Sequence, residues 1–560
     1  MNIPYWINQG WRWASHFEAN RFEQSLGKVR ELQTDILLGT LRRNRSSEYG
    51  RKYQFDRIHS IEGYRDRVPV VRYDLLTDSI DRIRAGHPNV LTSEPVERLV
   101  PTGGSSGGVK LIPYTASLKR SFQKAIAQWV ESTFRCHPQA MQGRAYWSIT
   151  PMAQLTHQSS GGIPVGFESD SEYLGVWSRW LAEQLILPPK STSRIRNIEN
   201  ARYANLLYML ACSDLALMSV WSPTFLLSLL SQIDPWIDSI CNDIADGKIR
   251  LPSREPKEGT IELYLQANRK RAEELARIHR NSKSQVDFLR LCWPKLSLIS
   301  CWGDGNSASH FAKLQRVFAE VPMQPKGLLA TECVVSIPSR RQGKNRLAIR
   351  SHFFEFAPAG KNDTIDYDRM LLADELNPGT KYRIVVTTDG GLYRYDLGDL
   401  IEVVGYEDQC PQVRFVGRMD AVSDLVGEKL HEDHVRSTIE TLFSELSIDQ
   451  DWYLLLVRDP PLLGYTLILS ADTNLPQHAH SSLADLLDER LRSNPQYDLA
   501  RKLNQLASID LKIHPWDGRQ LWTRFEAWQS DQGKRVGELK ANVLDYRGTW
   551  REFLSMMDSK

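Results

Sequence analysis

Residues Thr102-Gly103-Gly104-Ser105-Ser106-Gly107-Gly108-Val109-Lys110 set four glycines and two serines between short extended runs. Lacking Cβ atoms at the glycines, such a loop can bring backbone N–H groups and both hydroxyls against phosphate oxygens. The residues after it narrow the fold. Val109 to Tyr114 reads as extended, and Pro113 would disrupt a helix begun there. A Walker A loop needs G-x-x-x-x-G-K-[ST]; Gly103 and Gly108 have that spacing, but Val109 intervenes before Lys110. Gly103 to Gly107 does satisfy G-x-S-x-G, the nucleophile elbow of serine hydrolases, which would make Ser105 a nucleophile. That elbow needs a helix directly after it. A mobile loop over phosphates needs glycines, hydroxyls and a nearby lysine, all present here. The phosphate loop leads, with the hydrolase elbow and a plain surface turn as alternatives.

At 560 residues the chain exceeds the size at which one core keeps growing, so two or more domains are expected. Seventy Lys and Arg against 68 Asp and Glu leave a net charge of +2, which gives no whole-protein reason to expect nucleic acid or a membrane surface as partner. The seven cysteines are scattered and never spaced C-x-x-C, so neither a disulfide framework nor a zinc site is indicated, and a cytoplasmic location is expected. Met1 to Gly10 lacks the basic and apolar regions of a secretory signal. The most apolar stretch, Asn205 to Leu230, is broken by Ser213-Asp214 and Pro223; it reads as two buried helices rather than a membrane span.

Phe22, Leu26, Val29, Leu32, Ile36 and Leu37 recur at helical spacing and predict one long amphipathic helix to Arg43. From Pro113 to about Ala319, helical patterns alternate with strand-like runs at Tyr146–Thr150 and Leu296–Ser300, which argues α/β. Between Tyr382 and Val404 a small antiparallel sheet is predicted: strands at Ile384–Thr388, Leu392–Tyr395 and Leu400–Val404, presenting a loop at Asp396–Asp399. After Asp420 the order is helix (His434–Ser447), strand (Trp452–Val457), strand (Tyr465–Ala471), helix (Leu483–Arg492), strand (Ser508–Ile513), an α+β domain of ~140 residues.

Several segments carry a resemblance in order along nearly the whole chain: Ser47–Tyr53, Tyr64-Arg65 with Val68-Pro69-Val70, the glycine loop running into Lys110–Thr115, Gly161–Gly166, His352–Phe356 and Gly391–Tyr395. Together they resemble the Gretchen Hagen family of acyl acid amido synthetases, within the adenylate-forming superfamily of acyl-CoA synthetases and luciferase. The resemblance implies a large N-terminal α/β adenylate-forming domain over 1–417, a hinge at 418–420, and a smaller, mobile α+β lid over 421–560. It implies ATP and Mg²⁺ as cofactors and a small carboxylic acid and an amine, usually an amino acid, as substrates. The acid would be adenylated with release of pyrophosphate and the acyl group then passed to the amine.

Carried over position by position, the resemblance implies that Ser105, Ser106 and Gly107 hold the β- and γ-phosphates. Thr331 would contact the adenylate phosphate, Glu332 hold Mg²⁺, and Asp399 take both ribose hydroxyls. Arg418, in Gly417-Arg418-Met419-Asp420, would sit near ribose and phosphate. Lys540, in Gly537-Glu538-Leu539-Lys540, would stabilise the adenylation transition state, with Lys534 as its rival because Ala541 and Asn542 replace the family's proline and arginine. Leu328 stands where an aromatic residue usually covers adenine. A thioester-forming ligase using CoA or a carrier-protein thiol, the Ser105 hydrolase and a silent binding protein are the alternatives. His431 and His434 read as part of a helix start rather than a metal pair, and Arg269-Lys270-Arg271 as a solvated helix face.

Overall fold

The computed structural model describes residues 2–102, 110–147, 157–166, 185–195, 197–253, 261, 263–339, 344–359, 365–418, 421–450, 452–458, 463–475, 482–532, 534 and 539–558. The chain divides into two compact units, Met1–Asp304 with Ala308–Phe415, and Val416–Lys560 with Gly305–Ser307. No helix among the described residues is long and apolar enough to cross a membrane.

In the first unit the single long helix expected to Arg43 is two helices, Ile3–Gln24 and Val29–Asn44. Ser25 ends the first by returning its N–H to the Phe22 carbonyl, and Gly27 frees the chain before the second starts. Asn2 caps the first helix by accepting the Tyr5 N–H at 3.2 Å. That helix packs along Ala116–Cys136, whose apolar side buries Phe122, Ile126 and Trp129.

Behind these helices lies a parallel sheet in the order Ile186–Leu187, Arg144–Trp147, Leu215–Ser219, Leu298–Trp302, Met323–Lys326. The middle strand corrects the reading of Asn205–Leu230 as two helices: the segment runs helix to Ala211, strand Leu215–Ser219, helix Pro223–Leu230. All five residues of that strand are buried, so its sequence is an apolar run without the alternation that marks a half-exposed strand. Arg271 is a second correction. It is buried and donates to the Leu210 and Cys292 carbonyls at 2.9 and 2.7 Å, tying two segments together, while Arg269 and Lys270 are exposed.

The region around residue 400 is larger than the small sheet expected. Six strands run in the order Ser336–Pro338, Asn345–Leu347, Cys410–Arg418, Tyr395–Glu407, Lys381–Thr387, Phe353–Pro358. Asp396–Asp399 is not a loop between two strands but part of the single strand Tyr395–Glu407. Its register against the neighbouring strand passes from Val385↔Asp396 to Arg383↔Leu400, so two steps on one strand match four on the other, and Leu397-Gly398-Asp399 bulges. Gly398 takes φ +85° there, a conformation that glycine adopts without strain.

The second unit follows the expected order closely: helix Glu432–Glu445, strands Tyr453–Arg458 and Gly464–Leu469, helix Leu483–Leu491, strand Asp510–Ile513. Leu544–Asp545 adds a fourth strand, and helices Pro495–Lys502, Gly518–Asp531 and Thr549–Asp558 complete it. Alternate residues of the sheet face opposite ways. Leu455 and Leu467 join a core with Val435, Ile439 and Leu487, whereas Leu454 and Ile468 meet Trp522, Phe525 and Trp550.

Candidate active site

The glycine loop itself, with Ser105, Ser106 and Gly107, lies outside the described residues, but both of its stems are defined. Arg98–Thr102 and Lys110–Tyr114 pair antiparallel, with Thr102 opposite Lys110, so the loop joins the two strands of a hairpin. The first helix after it starts at Ala116, capped by Thr115. A nucleophile elbow and a Walker A loop both pass directly from loop to helix, so neither matches this arrangement.

The hairpin is strapped to the next motif. Tyr114, buried at the end of the second stem, donates its hydroxyl to the Thr331 carbonyl at 2.6 Å. Thr331 and Glu332 are the central residues of a tight turn in which the Ala330 N–H reaches the Cys333 carbonyl at 2.9 Å and Leu329 bridges Val334. Gly327 makes the approach to this turn possible: a Cβ there would stand 1.9 Å from the Ser336 carbonyl oxygen. Burial holds the Cys333 thiol well above its ordinary pKa, and the charges of Glu332 and Asp399 push it further in the same direction. Both carboxylates thus lie within electrostatic range of one buried thiol. Glu332 also acts on Tyr73, whose hydroxyl accepts the Leu111 N–H of the hairpin at 2.7 Å.

Asp399 is held by a residue to which the sequence reading gave no role. Asp396, buried, receives Arg383 Nε at 2.5 Å and Nη2 at 3.1 Å, the Tyr367 hydroxyl at 2.6 Å, Arg72 Nε at 3.1 Å and the Gly398 N–H at 3.1 Å. Arg383 Nη1 also donates to the Gly398 carbonyl at 3.0 Å, so the same ion pair clamps both sides of the bulge. Burial works against the Asp396 charge, but hydrogen bonds and charge from Arg383 outweigh it and keep the carboxyl below its usual range. A second buried ion cluster lies nearby in sequence. Glu355 takes Arg65 Nε at 2.8 Å and Arg394 Nε at 3.0 Å, and Arg394 donates on to the Val68 carbonyl at 2.8 Å.

Arg418 and Lys540 belong to the second unit. Arg418, half-buried, ends the strand Cys410–Arg418, and its charge is felt by the Tyr546 hydroxyl. Lys540 is exposed on an irregular segment; its rival Lys534 has its pKa lowered by burial and by the Arg547 charge. Leu328 is half-buried at the start of the Glu332 turn, its N–H bonded to Ser336 Oγ at 2.9 Å.

Sequence profiles of two domains match this arrangement: the GH3 family N-terminal domain over residues 18–323 and the GH3 family central domain over 346–418. The chain belongs to the GH3 family. Among curated GH3 proteins of Arabidopsis thaliana, indole-3-acetic acid-amido synthetase GH3.15 is 23% identical over 430 residues, spanning 73% of this chain and 71% of its own length. The putative indole-3-acetic acid-amido synthetase GH3.9 is 25% identical over 447 residues, spanning 74% and 75%. A solved GH3.15 acyl acid amido synthetase superposes with TM-score 0.80 at 18% identity, covering 97% of this chain and 96% of its own; a second structure of it, in complex with 2,4-DB, gives 0.79. The GH3 fold thus extends over both units.

One acidic residue in this GH3 chain stands apart from the expected set. Asp304 follows the strand Leu298–Trp302 through Gly303, and burial pushes its carboxyl up to about 6 against the pull of the Phe415 N–H and Arg414. The only sequence signal is Trp302-Gly303-Asp304-Gly305 after an apolar strand. Because the folded pKa lies above the unfolded one, the unfolded chain loses its proton first as pH rises, and stability falls between about pH 4 and 6. Asp304→Asn is expected to remove that decline and to stabilise the protein above pH 6 by roughly 2–3 kcal/mol, read as the difference between the two proteins' Tm-versus-pH curves.

Proposed function

We propose that this GH3 chain activates a small carboxylic acid with ATP as an acyl-adenylate and transfers the acyl group to an amine, an amino acid being the acceptor class. The observation that carries the reading is the hydrogen bond that ties the glycine-loop hairpin, through Tyr114, to the turn of Thr331 and Glu332, with Glu332 and Asp399 both acting on the buried Cys333 thiol. In the first half-reaction a carboxylate oxygen attacks the α-phosphorus, the bond to the bridging oxygen breaks, and pyrophosphate leaves. In the second the amine nitrogen attacks the acyl carbon, the bond to the AMP oxygen breaks, the nitrogen gives up its proton, and AMP leaves.

Each residue has a part suited to its chemistry. Asp399, fixed on the clamped bulge, offers two acceptor oxygens to the ribose hydroxyls. Ser105, Ser106 and Gly107 would grip the outer phosphates, and Thr331 the α-phosphate. Glu332, a buried carboxylate on a tight turn, is the kind of oxygen donor Mg²⁺ takes, and the ion would neutralise charge on the departing pyrophosphate. Arg418 and Lys540 supply positive charge from the second unit in this reading. We place the enzyme in the cytoplasm, in keeping with its seven unbridged cysteines. The test is pyrophosphate release from Mg·ATP with pooled carboxylic acids, with and without pooled amino acids. Acid-dependent release that amino acids stimulate is expected; release coupled to CoA and indifferent to amines would replace the amine by a thiol.

A further inference from the structure

We infer that the helix Ile3–Gln24 carries a self-complementary surface through which two copies of this chain pair about a two-fold axis. One side of that helix is used by the fold. Asn8, Ser15, Ala19 and Phe22 are buried, Asn8 Nδ2 donates to the Met141 and Gly143 carbonyls at 3.1 and 3.3 Å, and the Trp11 ring meets Phe134 edge-on at 6.0 Å. The outward side is apolar as well. Ile3, Trp6, Trp13 and Phe17 are 61, 60, 81 and 64% exposed, and among the described residues no other helix exposes as many large apolar side chains. With Gly10 between them, they follow one another at steps of three, four, three and four residues, the spacing that keeps side chains on one seam of a helix.

The seam reads nearly the same in both directions. Measured from Gly10, Ile3 and Phe17 stand seven residues away on either side, and Trp6 and Trp13 four and three. A two-fold axis through Gly10 therefore sets Ile3 against the partner's Phe17 and Trp6 against the partner's Trp13. Each copy offers the same patch, so the assembly closes at two. Gly10 leaves the centre open: a Cβ there would meet nothing within 4 Å in its own protomer. A second helix can come close at that point, since the side chains at a crossing set the distance between helix axes.

The area suits a dimer. Aromatic side chains present about 150–250 Å² each, so the exposed fractions of these four residues give roughly 500–600 Å² of apolar surface per copy. Two copies bury about 1,000–1,200 Å², which reaches the lower bound for a specific interface and fits a reversible association. Charge favours a second copy over a lipid surface. A helix that lies on a membrane is rich in Lys and Arg along its polar face, whereas Ile3–Gln24 has no Lys and balances Arg12 and Arg21 with Glu18 and Glu23. Arg21 is folded over the Phe17 ring at 4.2 Å, at the rim of the patch. The five seam positions hold no charged side chain, so pairing strands no charge away from water.

Sedimentation velocity of the full chain between about 1 and 100 µM reads the association, because a reversible dimer follows mass action. The wild type is expected to move with concentration from 64.2 kDa to twice that mass. Trp6→Ser/Trp13→Ser should weaken the dimer at least about thirty-fold, the loss expected when central interface tryptophans are removed. Gly10→Arg should do the same with all four apolar side chains still in place, because it sets two guanidinium groups against each other across the axis. At dilutions where the wild type is monomeric, Gly10→Arg should not lower helicity or melting temperature, glycine being a poor helix former at an exposed position. A wild type that stays monomeric throughout, or a dimer that persists in either variant, would overturn the inference. A monomer that instead sediments with vesicles of phosphatidylcholine and phosphatidylglycerol, Gly10→Arg included, would overturn it too and assign the stripe to a membrane.

Discussion

Asp396→Ala is expected to destabilise the strands around the bulge by about 3–5 kcal/mol, because it leaves the buried Arg383 guanidinium without its carboxylate. Arg383 is 2% exposed and its two bonds to Asp396 are backed by a third to the Gly398 carbonyl, so the bulge loses its internal clamp as well as its charge balance. Native-state hydrogen exchange reads the effect locally: protection of Lys381–Thr387 and Tyr395–Glu407 should fall by roughly two to three and a half orders of magnitude at about 1.4 kcal/mol per factor of ten. Asp399→Ala serves as the contrast and should leave that protection nearly intact while weakening ATP binding. The Arg383→Ala/Asp396→Ala pair should cost less than the sum of the single changes, since neither charge is then stranded. The pH dependence has a definite sign. The folded pKa of Asp396 lies below its unfolded value, so its contribution is complete above about pH 4 and is lost as pH falls through the folded pKa.

Glu332→Gln should reduce kcat/KM for acid-dependent pyrophosphate release by about 10²–10³, the usual loss when one group stabilising transition-state charge is removed. The substitution keeps shape and burial but takes away the charge that the Glu332 turn holds beside Cys333 and Tyr73. Stability should change little, and raising the Mg²⁺ concentration should restore part of the rate if the carboxylate acts through the metal. An unchanged rate at saturating ATP would remove Glu332 from the chemistry. Equal losses in rate and in melting temperature would make it a structural residue of the turn.

The motif segments that carried the resemblance are mostly scaffold. Arg65, Glu355 and Arg394 form one buried ion cluster, Tyr64 bonds Thr387 at 2.8 Å, and Tyr393 stacks on Tyr49 at 4.9 Å. Gly161 lies so close to Gly86 that a Cβ would come within 2.1 Å of its nitrogen. These residues are recognisable in sequence because packing leaves them few substitutes, and the substrate-facing groups are set by what they hold in place. The second unit was legible because its helices carry apolar residues at helical spacing and its two long strands, apolar on both faces, are short runs bounded by turn residues. Leu215–Ser219 was not, since this apolar run lies between two equally apolar helices and has no period of its own to mark it off from them. The Asp396 bulge was read as a loop because Gly398 between two aspartates has turn chemistry, and only the pairing register distinguishes a bulge from a turn. Asp304 had no signal beyond the Trp302-Gly303-Asp304-Gly305 run after an apolar strand. Its raised pKa comes from burial that no local spacing encodes.

The most direct test of the acyl-adenylate account is to supply an acid whose carboxylate oxygens are ¹⁸O-labelled, together with ATP and amino acids, and to weigh the nucleotide product. The carboxylate oxygen that attacks the α-phosphorus stays with it, so one labelled oxygen is expected in AMP for each amide formed. Label appearing in inorganic phosphate beside ADP, or amide formed with unlabelled AMP, would contradict the account.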